Sequence, residues 1–94
     1  MNTILVATST SENKMNTVAD KIRNYCRTDN IEAEVLASNV YKVNLKETAP
    51  EVIVILGQNV LETDIPIVDG VPFMTTIGEK EAFQQIKSHL DGQG

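Results

Sequence analysis

Tryptophan is absent and aromatic residues make up 4% of the chain, so a stacking platform for bases or sugars has few parts. Tyr25, Tyr41, Phe73 and Phe83 are therefore read as core or rim residues. A single cysteine excludes an internal disulfide, and one cysteine with one histidine falls short of the four ligands of a structural zinc site. No metal site and no cofactor is expected. Basic residues are also scarce, 8 Lys and Arg against 13 Asp and Glu, for a formal net charge of -5. That balance disfavours nucleic acid and anionic membrane surfaces, which are bound through clustered Lys and Arg, and it leaves basic protein surfaces open. No apolar run approaches the roughly 20 residues that span a bilayer, and the first residues lack the charged and apolar blocks of a signal peptide. A cytoplasmic protein without membrane insertion is the expectation.

What is present is one good core. In 94 residues, 41% are hydrophobic, which fills a single domain over residues 1–94. Residues 3–7 form a short apolar run that ends at a loop rich in hydroxyls, Thr8-Ser9-Thr10-Ser11, and apolar positions resume at helical spacing with Met15, Val18, Ala19, Ile22, Tyr25 and Cys26. This predicts a buried strand, a loop and a helix over 13–28. Residues 31–37 alternate apolar and polar as an edge strand does, and residues 51–57 (EVIVILG) read as a second buried strand. Between them, residues 38–50 fit either a short helix or a turn, and a crossover between parallel strands favours the helix.

The remainder reads as a loop or short helix over 58–64, a short strand over 65–68 whose Pro66 places it at a sheet edge or strand start, and a turn at Asp69-Gly70. An extended segment over 71–74 comes next. Thr76-Ile77-Gly78-Glu79 fits a capping box opening a last helix to about Leu90, with Ala82, Phe83, Ile86 and Leu90 toward the sheet, and residues 92–94 read as a frayed tail. The order implies an α/β fold, a small doubly wound three-layer domain. Its sheet has about four mainly parallel strands with helices on both faces. The first strand then lies inside the sheet, and the loop after it sits at the switch point, where free N–H groups at a helix start hold anions.

Four stretches carry a resemblance: ILVA in the first strand, VADKI in the helix, EVIVILG, and DIPIVDGVPFMTTIG before the last helix. With these the chain resembles the galactitol-type enzyme IIB subunit of the bacterial phosphoenolpyruvate-dependent sugar phosphotransferase system. The resemblance implies a four-stranded parallel sheet with flanking helices, and a cysteine directly after the first strand that carries a phosphoryl group. It also implies two partners, enzyme IIA, whose histidine donates the group, and membrane enzyme IIC, which holds the sugar. With the helix aligned on Ala19 and Ile22, Thr8 takes the place of that cysteine, and Ser9, Thr10 or Ser11 take the places of the family's loop glycines. The resemblance thus assigns Thr8 as the catalytic position and Ser9, Thr10, Ser11, Glu12, Asn13 and Lys14 as the phosphate loop.

Threonine departs from the chemistry of the relay. A thiol is readily ionised at a helix start and is a good leaving group, whereas a hydroxyl without a base stays protonated and holds phosphate as a stable ester. Glu12 adds a negative charge where a dianion arrives, with Lys14 beside it, and Ser9-x-x-Glu12 also fits a capping box that satisfies the helix start without a ligand. Two readings follow. One is a divergent IIB-like phosphocarrier, an enzyme component; the other is an inactive pseudo-subunit acting as a binding or regulatory module.

Cys26 lies on the apolar stripe near the negative end of its helix and reads as core. His89, in the last turn of the final helix, reads as solvent-facing, and Asp64 and Asp69 read as turn formers. Related architectures fit less well. A low-molecular-weight phosphatase needs Cys and Arg in the first loop, a receiver domain needs an acid where Gly57-Gln58 stands, and a dinucleotide site needs GxGxxG after the first strand.

Overall fold

In two stretches, residues 4–7 and 52–56, every side chain is apolar, and a strand sends alternate side chains to opposite faces, so such stretches need cover on both sides. The first lies within β1 (Asn2–Thr8), where Ile4 to Ala7 have no exposed surface, and the second is β3 (Val52–Leu56), which is at most 3% exposed. The computed structural model, which describes residues 2–8, 12–57 and 63–91, pairs them at the centre of one sheet. Completed by β2 (Ala33–Asn39) and β4 (Ile67–Asp69), that sheet has the order β2-β1-β3-β4 and is parallel throughout. Val6 lies opposite Ala37 on one side and Val54 on the other. The start of β1 is clasped by Glu51, whose carboxylate accepts from the Thr3 N–H and whose own N–H donates to the Thr3 carbonyl.

One face of the sheet carries the larger core. Ile4, Val6, Val52, Val54 and Leu56 pack there with Met15, Val18, Ala19, Ile22 and Cys26 of α1 (Glu12–Thr28). Phe73 of α3 (Val71–Thr75) and Ala82, Phe83, Ile86 and Leu90 of α4 (Glu79–Asp91) join the same cluster, so the expected stripe of the last helix does face the sheet. On the other face Leu5, Ala7, Ile53 and Ile55 are covered by Val40, Val43, Leu45 and Ile65. That layer includes α2 (Leu45–Thr48), a single turn, so the three-layer α/β fold has one thick and one thin helical layer.

Several elements differ from their expected course for identifiable reasons. β2 begins at Ala33 because a Schellman motif consumes the preceding residues: Asn30 is left-handed (φ 57°) and the Ile31 N–H reaches the Cys26 carbonyl at 2.8 Å. Over 38–50 the helix shrinks to four residues, opened by Asn44, whose side chain accepts from Lys46 and Glu47 N–H, and ended by Ala49 at φ 43° before Pro50. Residues 71–74 are helical instead of extended. Pro72 in the first turn needs no N–H partner, and the Asp69 carboxylate accepts from the Val71 N–H at 3.0 Å.

The capping box is not formed either. Thr76 ends α3 in a left-handed conformation (φ 64°), and α4 starts only at Glu79, whose carboxylate is taken by side chains of α1. The strand expected at 65–68 is displaced to Ile67–Asp69 but occupies a sheet edge as anticipated. Tyr41 is neither core nor rim, being 73% exposed. The expectations for 58–62 and for the tail 92–94 lie outside the described residues.

Gly70 shows how tightly the turn after β4 is set. Its backbone (φ -90°) is open to any residue, yet a Cβ there meets Leu56 Cδ2 at 2.4 Å and Val54 Cγ1 at 2.8 Å. Gly70→Ala should therefore lose stability by overpacking, about 1 to 3 kcal/mol in a denaturant titration. A neutral result there requires a looser core than the one seen.

Candidate functional site

In the order β2-β1-β3-β4 the chain leaves β1 toward one edge and β3 toward the other, which places the switch point at the carboxyl ends of these two strands. Thr8 is the last residue of β1, in register with Asn39 and Leu56. By alternation its side chain shares the face of Ile4 and Val6. It is 1% exposed, and Oγ1 donates to the Leu56 carbonyl at 3.4 Å, while the Thr8 carbonyl accepts from the Val40 N–H at 2.9 Å. The position that the resemblance marks as catalytic is thus built into the end of the sheet.

Ser9, Thr10 and Ser11 lie outside the described residues. Glu12, Asn13 and Lys14 form the exposed first turn of α1, where Glu12 suits the positive end of the helix dipole. Asn13 and Lys14, together with Thr17 and Lys21, make one wall of a cleft of about 440 Å³, and Phe73, Met74 and Thr75 of α3 make the other. At its inner end the Lys21 ammonium donates to the Phe73 carbonyl at 2.7 Å and stands 3.6 Å from the Glu79 carboxylate. Tyr25 closes this knot, donating its hydroxyl to Glu79 at 3.2 Å while its ring stacks on Phe83 and meets Phe73 edge-on.

Sequence reasoning had singled out neither Lys21 nor the α3 wall. The signal for Lys21 was the spacing of Lys14, Thr17 and Lys21, which puts all three on one helix face; the α3 wall required knowing that 71–75 is helical. The cleft thus has a polar wall from α1 and a second wall from α3, and the Lys21 ammonium at its inner end is already balanced by Glu79. Among the described residues no group of three or more His, Cys, Asp or Glu gathers as metal ligands, and no helix is long and apolar enough to cross a membrane. His89 is half-buried rather than solvent-facing, and Asp69 serves the turn as its capping bond requires.

Cys26 is 4% exposed, and burial, followed by the charge of Asp29, pushes its thiol above the ordinary value of 9.0. Desolvation likewise leads the upward shift at Tyr25, with the hydrogen bond and charge of Glu79 adding to it. The sign follows from proton uptake. As pH rises past the ordinary thiol value the unfolded chain deprotonates first, so this part of the stability is full below that pH and is lost on rising through the folded value. Native Cys26 should react slowly with a small thiol reagent and rapidly once unfolded. Cys26→Ala should cost about 1 to 3 kcal/mol near neutral pH and should shallow the alkaline loss, as denaturant titrations on either side of the thiol range will read. Fast native labelling contradicts the core placement.

Compared with models of known protein families and with curated proteins, the chain matches neither a family nor a protein.

Proposed function

We propose that this chain is a galactitol-type enzyme IIB-like domain that has kept the architecture of a cytoplasmic sugar phosphotransferase subunit and lost its phosphoryl relay, and that it acts by binding. One observation carries the reading: the Thr8 hydroxyl, at the phosphocysteine position, is 1% exposed and donates to the Leu56 carbonyl. An attacking oxygen has to meet phosphorus in line at about 3 to 3.5 Å, and a hydroxyl enclosed at the sheet end is poorly placed for that approach. The parallel order with β1 inside supports the IIB-like part of the reading, and Glu12, which repels an incoming dianion, supports the loss of the relay. Enzyme IIA and membrane enzyme IIC are the proposed partners.

The test is incubation with phosphoenolpyruvate, the general phosphotransfer proteins and a cognate enzyme IIA, read by intact mass and by titration of enzyme IIA binding. Binding without a gain of about 80 Da, one phosphoryl group, is the expected result. A gain on Thr8 that passes to sugar through enzyme IIC makes the chain a threonine-based carrier, and absence of any enzyme IIA binding removes the family reading.

A further inference from the structure

Between α3 and α4 the backbone is bent outward by two left-handed residues, Thr76 (φ 64°) and Gly78 (φ 80°), with Ile77 between them. The Ile77 N–H is held by the Thr75 hydroxyl at 3.3 Å, and its side chain is 79% exposed. A lone surface isoleucine needs no explanation. This one borders a groove of about 490 Å³ with Pro72, Ala82, Gln85, Asp69 and Glu81, and Val71 and Met74 of the preceding helix are each 37% exposed. Thr76 is left-handed as the residue that ends α3, and the turn it makes leaves Ile77 outside the core.

Charge identifies the occupant. Asp69 and Glu81 are the charged groups lining the groove; the Asp69 carboxylate accepts from the Val71 N–H, and none of the ion pairs among the described residues neutralises either acid. The nearby cation, Lys80, lines the adjacent clefts beside Tyr25. A second copy of the chain, docking through the same patch about a two-fold, would bring these acids together and oppose two bodies of net charge -5. An anionic membrane is opposed for the same reason. We propose that the groove between Ile77 and Glu81 docks a protein partner that presents an apolar side chain flanked by Lys or Arg. The assignment stands apart from the family reading, since it uses neither Thr8 nor the loop after β1.

The probe is a labelled synthetic helical peptide with Leu on one face and Lys flanking it, titrated by fluorescence anisotropy, with a control peptide carrying Glu in place of Lys. The Lys peptide should bind and the Glu peptide should not. Ile77→Ser and Ile77→Ala leave the charge unchanged and should weaken binding at least about tenfold, the scale of losing an apolar anchor, with the unfolding midpoint retained. Glu81→Gln should weaken it about threefold and flatten its salt dependence. Binding indifferent to Ile77 is mere charge attraction and overturns the proposal, as does equal binding of the Glu peptide or no binding of the Lys peptide. Self-association that Ile77→Ser abolishes assigns the groove to a second copy and overturns it too.

Discussion

Phe73→Ala should lower the unfolding free energy by about 3 to 5 kcal/mol, the range for deleting a fully buried ring. Phe73 has no exposed surface and is the buried residue of α3, so this one side chain carries the attachment of the whole helix to the core. The same residue accepts the Lys21 ammonium through its backbone and meets the Tyr25 ring with centroids 6.1 Å apart. The cavity therefore opens where α1, α3 and α4 meet, and collapse of α3 into it would break the Lys21 bond, so relaxation can recover little. Met74→Ala, on the same helix and 37% exposed, is the control and should stay within about 0.5 kcal/mol. Denaturant titrations of the two variants decide the matter: a Phe73→Ala cost near that of Met74→Ala means that α3 is not anchored as seen.

How much could be read in advance follows from which signals are periodic. β1, β3, the stripe of α1 and the stripe of α4 were legible because each repeats its pattern over many residues, and the sheet order follows once the buried strands and their crossovers are recognised. What the chain concealed lies where one local bond outweighs a pattern. Ile31 has the apolar character of a strand start, yet its N–H closes the helix before it. Thr76 has the letters of a capping box, yet it ends α3, and the box's glutamate is spent on Tyr25 and Lys21. Residues 71–74 look extended until Asp69 and Pro72 are seen to start a turn of helix.

The candidate site follows the same division. Its place at the end of β1 was legible from the apolar run and the helix behind it. The enclosure of Thr8 was not, because it depends on β1 running one residue further, into register with Asn39 and Leu56. The Lys21 end of the cleft and the Ile77 groove depend on how α3 and α4 are joined, which no periodicity records.

On the proposed IIB-like reading, Thr8→Cys should leave phosphoryl acceptance slow, although it places a thiol where that reading puts the nucleophile. A thiol at a position 1% exposed is desolvated, and desolvation raises its pKa against the lowering that a helix start provides. Glu12, in the exposed first turn, adds repulsion toward an incoming phosphate. On the proposed reading the obstacle thus has two parts, the nucleophile and the cradle. Thr8→Cys combined with Glu12→Gln and with glycine at positions 9 and 11 should remove that charge and allow backbone N–H groups to turn toward the anion, as phosphate loops require. The combined variant should accept phosphate from enzyme IIA at least about a hundredfold faster than Thr8→Cys alone, the scale associated with one well-aimed anion-binding donor. Quenched time courses read by intact mass supply the ratio. Equal and fast rates for the two variants would mean that, on the proposed reading, sulfur in place of the hydroxyl is enough and Glu12 with residues 9–11 is no obstacle, whereas equal and slow rates would put the obstacle in the enclosure of position 8.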